Sequence, residues 1–167
     1  ADPGSWSPVG KKLLKDVGIH TEHFYDYFDR NYFKDRKLGR GLYFSHDQYG
    51  KDHVSDNILG TEIGDNQQEI IDIINGYPIA EASRIALSRL LSEKKNYLKG
   101  MGSKEDKINL LRRTSYSDFL RKYIHIQEEV VQLYRDMARG LWGIGWDALS
   151  ALDAYKSQMP GTRHLNL

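Results

Sequence analysis

The sequence contains no cysteine, which excludes disulfide bonds and thiolate chemistry without assigning the protein to a compartment. It also has no apolar run near the 18 residues that a membrane-spanning helix needs, so we expect no membrane partner. An excess of one charge is absent as well, because 24 basic residues stand against 23 acidic residues and the net charge is +1. Such a balance creates no overall field that would attract nucleic acid, and we expect no nucleic-acid partner.

Several sequence signatures of catalysis and targeting are also missing. There is no G-x-S-x-G and no H-E-x-x-H, and the adjacent Ser45, His46 and Asp47 are expected to be a solvated loop cluster, so the chain carries no self-contained catalytic set. It begins without an initiator methionine and without a basic-then-apolar signal segment. We therefore expect a fragment or a processed product. Any export signal would lie upstream, and a cytoplasmic or periplasmic location stays open.

The residues that are present predict a mainly α protein. The chain has 167 residues, of which 40% are hydrophobic and 28% charged, as is usual for one globular domain. We predict a single helical domain, residues 1–167, with about six helices. Leu42 to Phe44 form the best strand candidate, but three residues cannot build a sheet alone. Residues 45–65 are polar and rich in glycine, and we predict a loop with one helical turn there.

Capping residues mark where helices begin. Ser7 before Pro8 is one such start, and Ser103 with Asp106 resembles a capping box. A serine–aspartate pair at Ser115 and Asp118 is a similar signal. Apolar spacing predicts further helices over residues 67–75, from Pro78 onward, over the amphipathic stretch 127–139, and over residues 147–157.

Three closely spaced glycines, Gly140, Gly143 and Gly145, admit two interpretations. A dinucleotide-binding loop needs a strand before the glycines and a helix after them. Here the preceding stretch 127–139 has helical periodicity, which favours a tight corner between helices in which glycine permits unusual backbone angles. Asp147 also places negative charge at the start of the next predicted helix, which argues against an anion site there.

Two polar clusters have more than one interpretation. His20 and His23 are three residues apart and could share a helix face, but no third ligand stands at metal-motif spacing, so solvated histidines are favoured. Residues 89–113 hold eight lysines and arginines against three acids. This stretch could contact phosphates. With Tyr97 as its one aromatic residue, a solvated helical face is favoured instead.

Aromatic residues are concentrated in the first third of the chain. Most of them are expected in the core, whereas some could line a pocket for an organic cation, because ring faces attract ammonium groups. Nine of them fall within 26 residues: Phe24, Tyr25, Tyr27, Phe28, Tyr32, Phe33, Tyr43, Phe44 and Tyr49.

Four stretches in the same order resemble the bacterial spermidine dehydrogenase family, which consists of flavin-dependent amine oxidoreductases. They are DPGSWSPVGKKLLKDVGI from Asp2, GLYFSHDQYGKDH from Gly41, TSYSDFLRKYI from Thr114 and GLWGIGWDALSALDA from Gly140. The similarity extends over nearly the whole chain. It corresponds only to an interior part of such an enzyme, because the dinucleotide-binding half with its glycine loop lies outside it.

The resemblance implies a helical substrate-side or cap region of a larger bacterial flavoenzyme. In such an enzyme the flavin takes a hydride from the carbon beside an amine, and the resulting imine hydrolyses. FAD would belong to the larger enzyme, the remaining flavin-binding domain would be a partner, and the isolated chain is expected to bind no FAD and to be inactive. Substrate-binding candidates are Trp142, Trp146 and Tyr43 as cavity walls and Asp147 as the partner of the amine. Corner packing and helix capping are the alternatives for these residues, and no catalytic residue is assigned.

A non-catalytic helical interaction or regulatory module is the alternative function. In the enzyme hypothesis, the surface that met the flavin domain would be bare in the isolated chain. We therefore expect self-association or an open apolar patch, with Phe24, Tyr43, Trp142 and Trp146 on it.

Overall fold

The computed structural model describes residues 6–58 and 67–167. Helices cover 55% of the described residues and strands 6%, so the mainly α class is confirmed. Contacts divide the chain into two compact units, the first ending at Arg40 and the second running from Gly41 to Leu167. A single domain over residues 1–167 remains a prediction, and the two units are described separately. Residues 59–65 of the predicted loop lie outside the described ranges.

The helices described in the first unit are all short. They are α1 (Pro8–Asp16), a 3₁₀ helix (Thr21–Asp26) and α2 (Tyr32–Asp35). Helix α1 begins as predicted, because the Ser7 hydroxyl accepts the backbone N–H of Gly10 at 3.2 Å and proline occupies the first helical position.

The first unit has no interior among its described residues. None of residues 6–40 is buried, and Tyr27 is 81% exposed. Phe24, Tyr25 and Phe28 contact one another through their rings but remain accessible to solvent. Because hydrophobic stabilisation scales with the apolar area removed from water, this unit gains little of it from its own packing.

The second unit opens with a β-hairpin. Strands β1 (Gly41–Phe44) and β2 (His53–Asp56) pair antiparallel, with Phe44 opposite His53, and helix α3 (His46–Tyr49) lies between them. The predicted strand and the predicted helical turn are both confirmed. Strand β2 was not predicted, because its four residues, HVSD, have the polar composition of a loop.

Helices make up the rest of the second unit. The number of α-helices in the described ranges is ten rather than about six, because four of them have only four residues, too few to show a helical period. None of the described helices has both the length and the apolar character that crossing a bilayer requires. The helices that follow the hairpin are α4 (Gln67–Asn75), α5 (Glu81–Ser92), α6 (Lys104–Arg113), α7 (Tyr116–Phe119), a π-helix (Leu120–Ile124), α8 (Glu128–Tyr134), a 3₁₀ helix (Arg135–Ala138), α9 (Arg139–Trp142) and α10 (Ala151–Lys156).

Both predicted serine–aspartate caps are present as well. Ser103 and Asp106 form a capping box, in which the Ser103 hydroxyl accepts the Asp106 N–H and the Asp106 carboxylate accepts the Ser103 N–H. The Ser115 hydroxyl likewise accepts the N–H of Asp118 at 3.1 Å. These serines satisfy backbone donors that have no partner within the helix.

The stretch predicted as one helix over residues 127–139 is helical from Glu128 onward, but it is not a single regular helix. Helix α8 ends at Tyr134, and the next four residues form a 3₁₀ helix. The tighter 3₁₀ winding changes the direction of the following side chains. Met137 and Leu141 were predicted on the same apolar stripe as Tyr134. Tyr134 is buried, but the change of direction leaves Met137 and Leu141 exposed.

The last helix begins later than predicted. It starts at Ala151 and not near Asp147, because Ser150 caps it by accepting the N–H of Asp153 at 3.1 Å. Asp147 is thus part of the preceding turn and does not contribute charge to a helix N-terminus.

One core holds the second unit together. Contacts join α4 to α5, α5 to α8, and α10 to both α6 and α7. Its buried apolar side chains form a single cluster that extends from Phe44 near the start to Leu165 near the end.

An ion pair connects the π-helix to α8. The Arg121 guanidinium donates to both carboxylate oxygens of Glu128, at 2.6 and 2.8 Å, and also contacts Asp118 at 3.4 Å. Arg121, together with the Gln132 side chain, lowers the pKa of Glu128 to about 2.

We predict that Glu128 contributes to the pH dependence of stability. Because its pKa is lower in the folded state, its contribution is present above the unfolded pKa, near 4.5, and is lost as the pH falls towards about 2. Glu128→Gln should therefore lose less stability than the wild type between pH 5 and pH 2, as measured by urea unfolding. Parallel losses in the two proteins would contradict the assignment.

Candidate functional site

The glycine corner, residues 140–147, begins within helix α9 and continues beyond its end at Trp142. Gly143 has φ +71°, and its N–H donates to the carbonyl of Arg139 at 3.0 Å. The Trp146 N–H donates to the carbonyl of Arg135 at 2.8 Å, which folds the chain back. A Cβ on Gly145 would lie 3.2 Å from that same carbonyl oxygen. Glycine thus provides a left-handed backbone at 143 and a close approach at 145, and a helix rather than a strand precedes the corner.

Apolar side chains are exposed at this corner. Leu141 is 78% exposed, Trp142 is 41% exposed, and Ile144 and Met137 are similarly accessible. Clustered exposure of large apolar groups is typical of a surface that binds a ligand or another chain.

Two carboxylates lie against the corner. Asp147 Oδ1 and Asp136 Oδ1 are 2.6 and 3.5 Å from the position that a Gly145 Cβ would take. Asp136 is paired with two arginines, Arg135 at 3.2 Å and Arg139 at 3.1 Å. Asp147 has no ion pair within the described part of the chain. The pKa of Arg135 is raised mainly by its hydrogen bond to Asp136 and by the charge of Asp136, and the charge of Asp147 adds a smaller effect.

Trp146 is a core residue, so its placement on an exposed patch and as a wall open to a ligand is wrong. It is 1% exposed, and the centroid of its ring lies 4.7 Å from the ring centroid of Tyr116 and 6.0 Å from that of Tyr134. The Gly143–Gly145 turn places it in the core, whereas Trp142 is 41% exposed. Its indole N–H and the Ser117 hydroxyl are buried without a hydrogen-bond partner among the described residues.

Tyr43 is exposed on the hairpin. Its side chain is on the solvent side of β1, and the residue is 61% exposed. The Tyr43 hydroxyl donates to Asp52 Oδ1 at 2.6 Å, and the same oxygen accepts the N–H of His46 at 2.8 Å. These hydrogen bonds lower the pKa of Asp52, and the bond to Asp52 raises the pKa of Tyr43.

Aromatic core residues link the hairpin to the glycine corner. The ring centroids of Phe44 and Tyr77 lie 5.0 Å apart. The Tyr77 hydroxyl accepts a hydrogen bond from the Tyr134 hydroxyl at 3.4 Å, and the Tyr134 ring stacks on Trp146. No hydrogen bond or ring contact joins Tyr43 directly to Trp142 or Asp147 in residues 6–58 and 67–167. Tyr43 and the corner residues are thus separate parts of the surface over one core, and Phe24, which belongs to the first unit, is half-buried.

The two histidines of the first unit pair with neighbouring acids. His20 Nδ1 contacts Glu22 at 3.2 Å, and His23 Nδ1 contacts Asp26 at 3.0 Å. No set of three His, Asp or Glu side chains is arranged to hold a metal ion within the described ranges.

Asp136 was not identified from the sequence as a site residue. It becomes part of the corner because the Trp146 N–H reaches back to Arg135, eleven residues earlier. Its neighbours in the sequence carried no signal of this approach.

Comparison with known protein families and with curated proteins finds no match for the chain.

Proposed function

We propose that this chain is the substrate-side, mainly helical part of a flavin-dependent oxidoreductase that acts on spermidine or a similar polyamine. One observation carries the proposal. Asp147, an exposed carboxylate without an ion pair in the described residues, belongs to the same corner as the exposed indole of Trp142. Ammonium groups bind to carboxylate oxygens and to the faces of aromatic rings.

Each corner residue has a distinct role in this proposal. The Asp147 carboxylate accepts N–H bonds from one ammonium group of the substrate, and the Trp142 ring contacts the chain beside it. Asp136 is already neutralised by its two arginines and contributes less to cation binding. Trp146 is a positioning residue that holds the corner from the core. Tyr43, with Asp52 beneath its hydroxyl, is a candidate for contact with a second ammonium group.

The described residues do not fit FAD. A dinucleotide pyrophosphate requires a strand, a glycine loop and a helix in succession. The two strands that the structure describes form an antiparallel hairpin, and the turn at Gly143 and Gly145 follows a helix. In our proposal the flavin belongs to the flavin-binding domain of a longer protein, and this chain contributes the binding and orientation of the amine.

The exposed apolar surface of the first unit supports a partner domain. Large apolar side chains there, such as Val9, Tyr27 and Phe33, are largely accessible. Surfaces of this kind usually meet another protein surface. We propose that they contact the flavin-binding domain and that the isolated chain self-associates through them.

The same surface also favours the alternative, a non-catalytic helical interaction module. The parent gene distinguishes the two hypotheses, because the enzyme requires a coding sequence for a strand, G-x-G-x-x-G and a helix upstream of this chain. The module requires no such sequence and no affinity for polyamines.

We predict that Asp147→Asn weakens spermidine binding by about tenfold, which corresponds to ~1.4 kcal/mol. The physical reason is the loss of a charge-assisted hydrogen bond to an ammonium group. Spermidine titrations of the isolated chain, followed by backbone amide NMR at low salt, measure the change.

Glu105→Gln is the matched control, because it removes the same charge from an exposed position in the first turn of α6. It should bind spermidine like the wild type. Equal weakening by both substitutions would show only a general charge effect, and no saturable shifts at the corner would contradict the assignment of the amine site to this chain.

A further inference from the structure

A groove elsewhere in the second unit is lined by lysines, whereas the glycine corner carries carboxylates. It occupies about 590 Å³ between the segment that follows α5 and the end of the π-helix. We name it the lysine groove, and its main lining residues are Lys94, Lys95, Tyr97, Lys99, Tyr123 and His125. We propose that the lysine groove binds a small anionic ligand that carries two or more phosphate groups.

Local structure turns the lysines outward. Leu98 is completely buried, and its N–H donates to the Asn96 side chain at 3.0 Å, which forms a tight turn. The Lys99 N–H donates to the Asn96 carbonyl within the same turn. With Leu98 anchored in the core, Lys94, Lys95 and Lys99 are exposed around it.

The opposite wall is held in an unusual backbone conformation. The π-helix ends at Ile124, and His125 follows with φ +59°, in the left-handed region that side chains other than glycine seldom adopt. Arg89 holds this end by donating to the carbonyls of Ile124 and His125 at 3.2 and 3.5 Å. Short π-helices and left-handed non-glycine residues are enriched at functional sites, where the surrounding structure holds them in place.

No ion pair to a described carboxylate neutralises the lysines of the groove. Glu93 is the one acid that lines it among the described residues, and this carboxylate accepts the Tyr97 hydroxyl at 2.7 Å and contacts Arg89 at 4.0 Å. No carboxylate pairs with the three lysines in the same ranges, and Lys95 instead lies 5.2 Å above the Tyr97 ring. Like charges gathered in one groove repel one another, and a bound polyanion would remove that repulsion.

The extent of the positive surface indicates more than one phosphate. A neighbouring groove of about 450 Å³ shares Glu93 and Lys94 with the lysine groove and adds Arg163 and His164. Lysine ammonium groups bind phosphate as point charges, and arginine can contact two of its oxygens. The ligand is therefore opposite in charge to the amine proposed at the glycine corner, and neither proposal depends on the other.

The test is a titration of the full chain with inorganic pyrophosphate at constant ionic strength, with potassium chloride as the reference salt. At a hundredfold excess over the dissociation constant, pyrophosphate should raise the melting temperature by roughly 5–10 °C. Lys95→Gln/Lys99→Gln should bind at least tenfold more weakly. Without ligand, this variant should melt no lower than the wild type, because it relieves repulsion.

Lys51→Gln/Lys104→Gln is the matched control, since it removes two exposed positive charges outside the groove. It should bind pyrophosphate like the wild type, and Lys95→Arg/Lys99→Arg should retain binding. The proposal is overturned by the absence of a thermal shift, by equal loss of binding in the control, or by a short single-stranded DNA that binds through the same lysines more tightly than pyrophosphate.

Discussion

Replacing Trp146 by alanine should lower the free energy of unfolding of the second unit by about 3–5 kcal/mol. The indole is 1% exposed and packs between the rings of Tyr116 and Tyr134. Its removal leaves a large cavity at the point where the aromatic residues of the hairpin side meet the glycine corner. The change is measured by urea unfolding at neutral pH, followed by far-UV circular dichroism.

Two comparison variants separate packing from other effects. Trp142→Ala removes the same side chain from a position that is 41% exposed, and it should cost about 1 kcal/mol or less. Trp146→Phe keeps an apolar ring and removes an N–H that has no partner among the described residues, so it should cost far less than alanine. Equal costs for Trp142→Ala and Trp146→Ala would contradict this assignment of the two indoles.

The backbone of Trp146 gives this prediction a consequence for the site. Its N–H donates to Arg135 and its carbonyl accepts the N–H of Ser117 at 2.9 Å. A core defect at Trp146 should therefore displace Asp147 as well. Loss of spermidine binding in Trp146→Ala would be indirect, which is why Asp147→Asn is the variant that tests direct contact.

Helix starts could be predicted from the sequence because the interactions that form them are local. A serine hydroxyl that accepts an N–H three residues later needs no tertiary information, and Ser7, Ser103 and Ser115 all act in this way. The strand at Leu42 to Phe44 was also predicted, because its aromatic residues favour an extended chain.

The directions of the two tryptophans could not be predicted. Trp142 and Trp146 have the same chemistry and lie four residues apart, a spacing that places both on one face of a regular helix. The turn at Gly143 and Gly145 interrupts the helical phase, so that Trp146 is buried and Trp142 is partly exposed. The 3₁₀ helix after Tyr134 has a similar effect on Met137 and Leu141, because its winding depends on packing rather than on periodicity.

The lysine groove was beyond sequence analysis for a different reason. Residues 89–113 contain one aromatic residue, Tyr97, which favoured a solvated face. The structure adds Tyr123 and His125 from a distant segment that Arg89 holds in place. A site assembled from two segments has no signature in either one.

Gly161 should be the glycine least tolerant of substitution among those whose surroundings are described. It has φ +78°, and a Cβ there would overlap Ile124 Cδ1 and lie 3.0 Å from Leu90 Cδ1. Gly161→Ala should therefore lose about 2–4 kcal/mol, from backbone strain and from overpacking together. Thermal and urea unfolding of the purified variant measure the loss.

Gly143→Ala isolates the backbone contribution, because Gly143 has φ +71° and no atom within 4 Å of an added Cβ. It should cost only about 1–2 kcal/mol.

Ile124→Val isolates the overlap, because it removes the Cδ1 methyl that an alanine at 161 would meet. By itself it should cost roughly 0.5–1.5 kcal/mol. The double variant Gly161→Ala/Ile124→Val should lose less free energy of unfolding than the sum of the losses in the two single variants. The difference, which is the coupling energy, should be about 1 kcal/mol. Strict additivity would mean that the clash with Ile124 is relieved by movement of the chain end and that strain at φ +78° accounts for the whole effect.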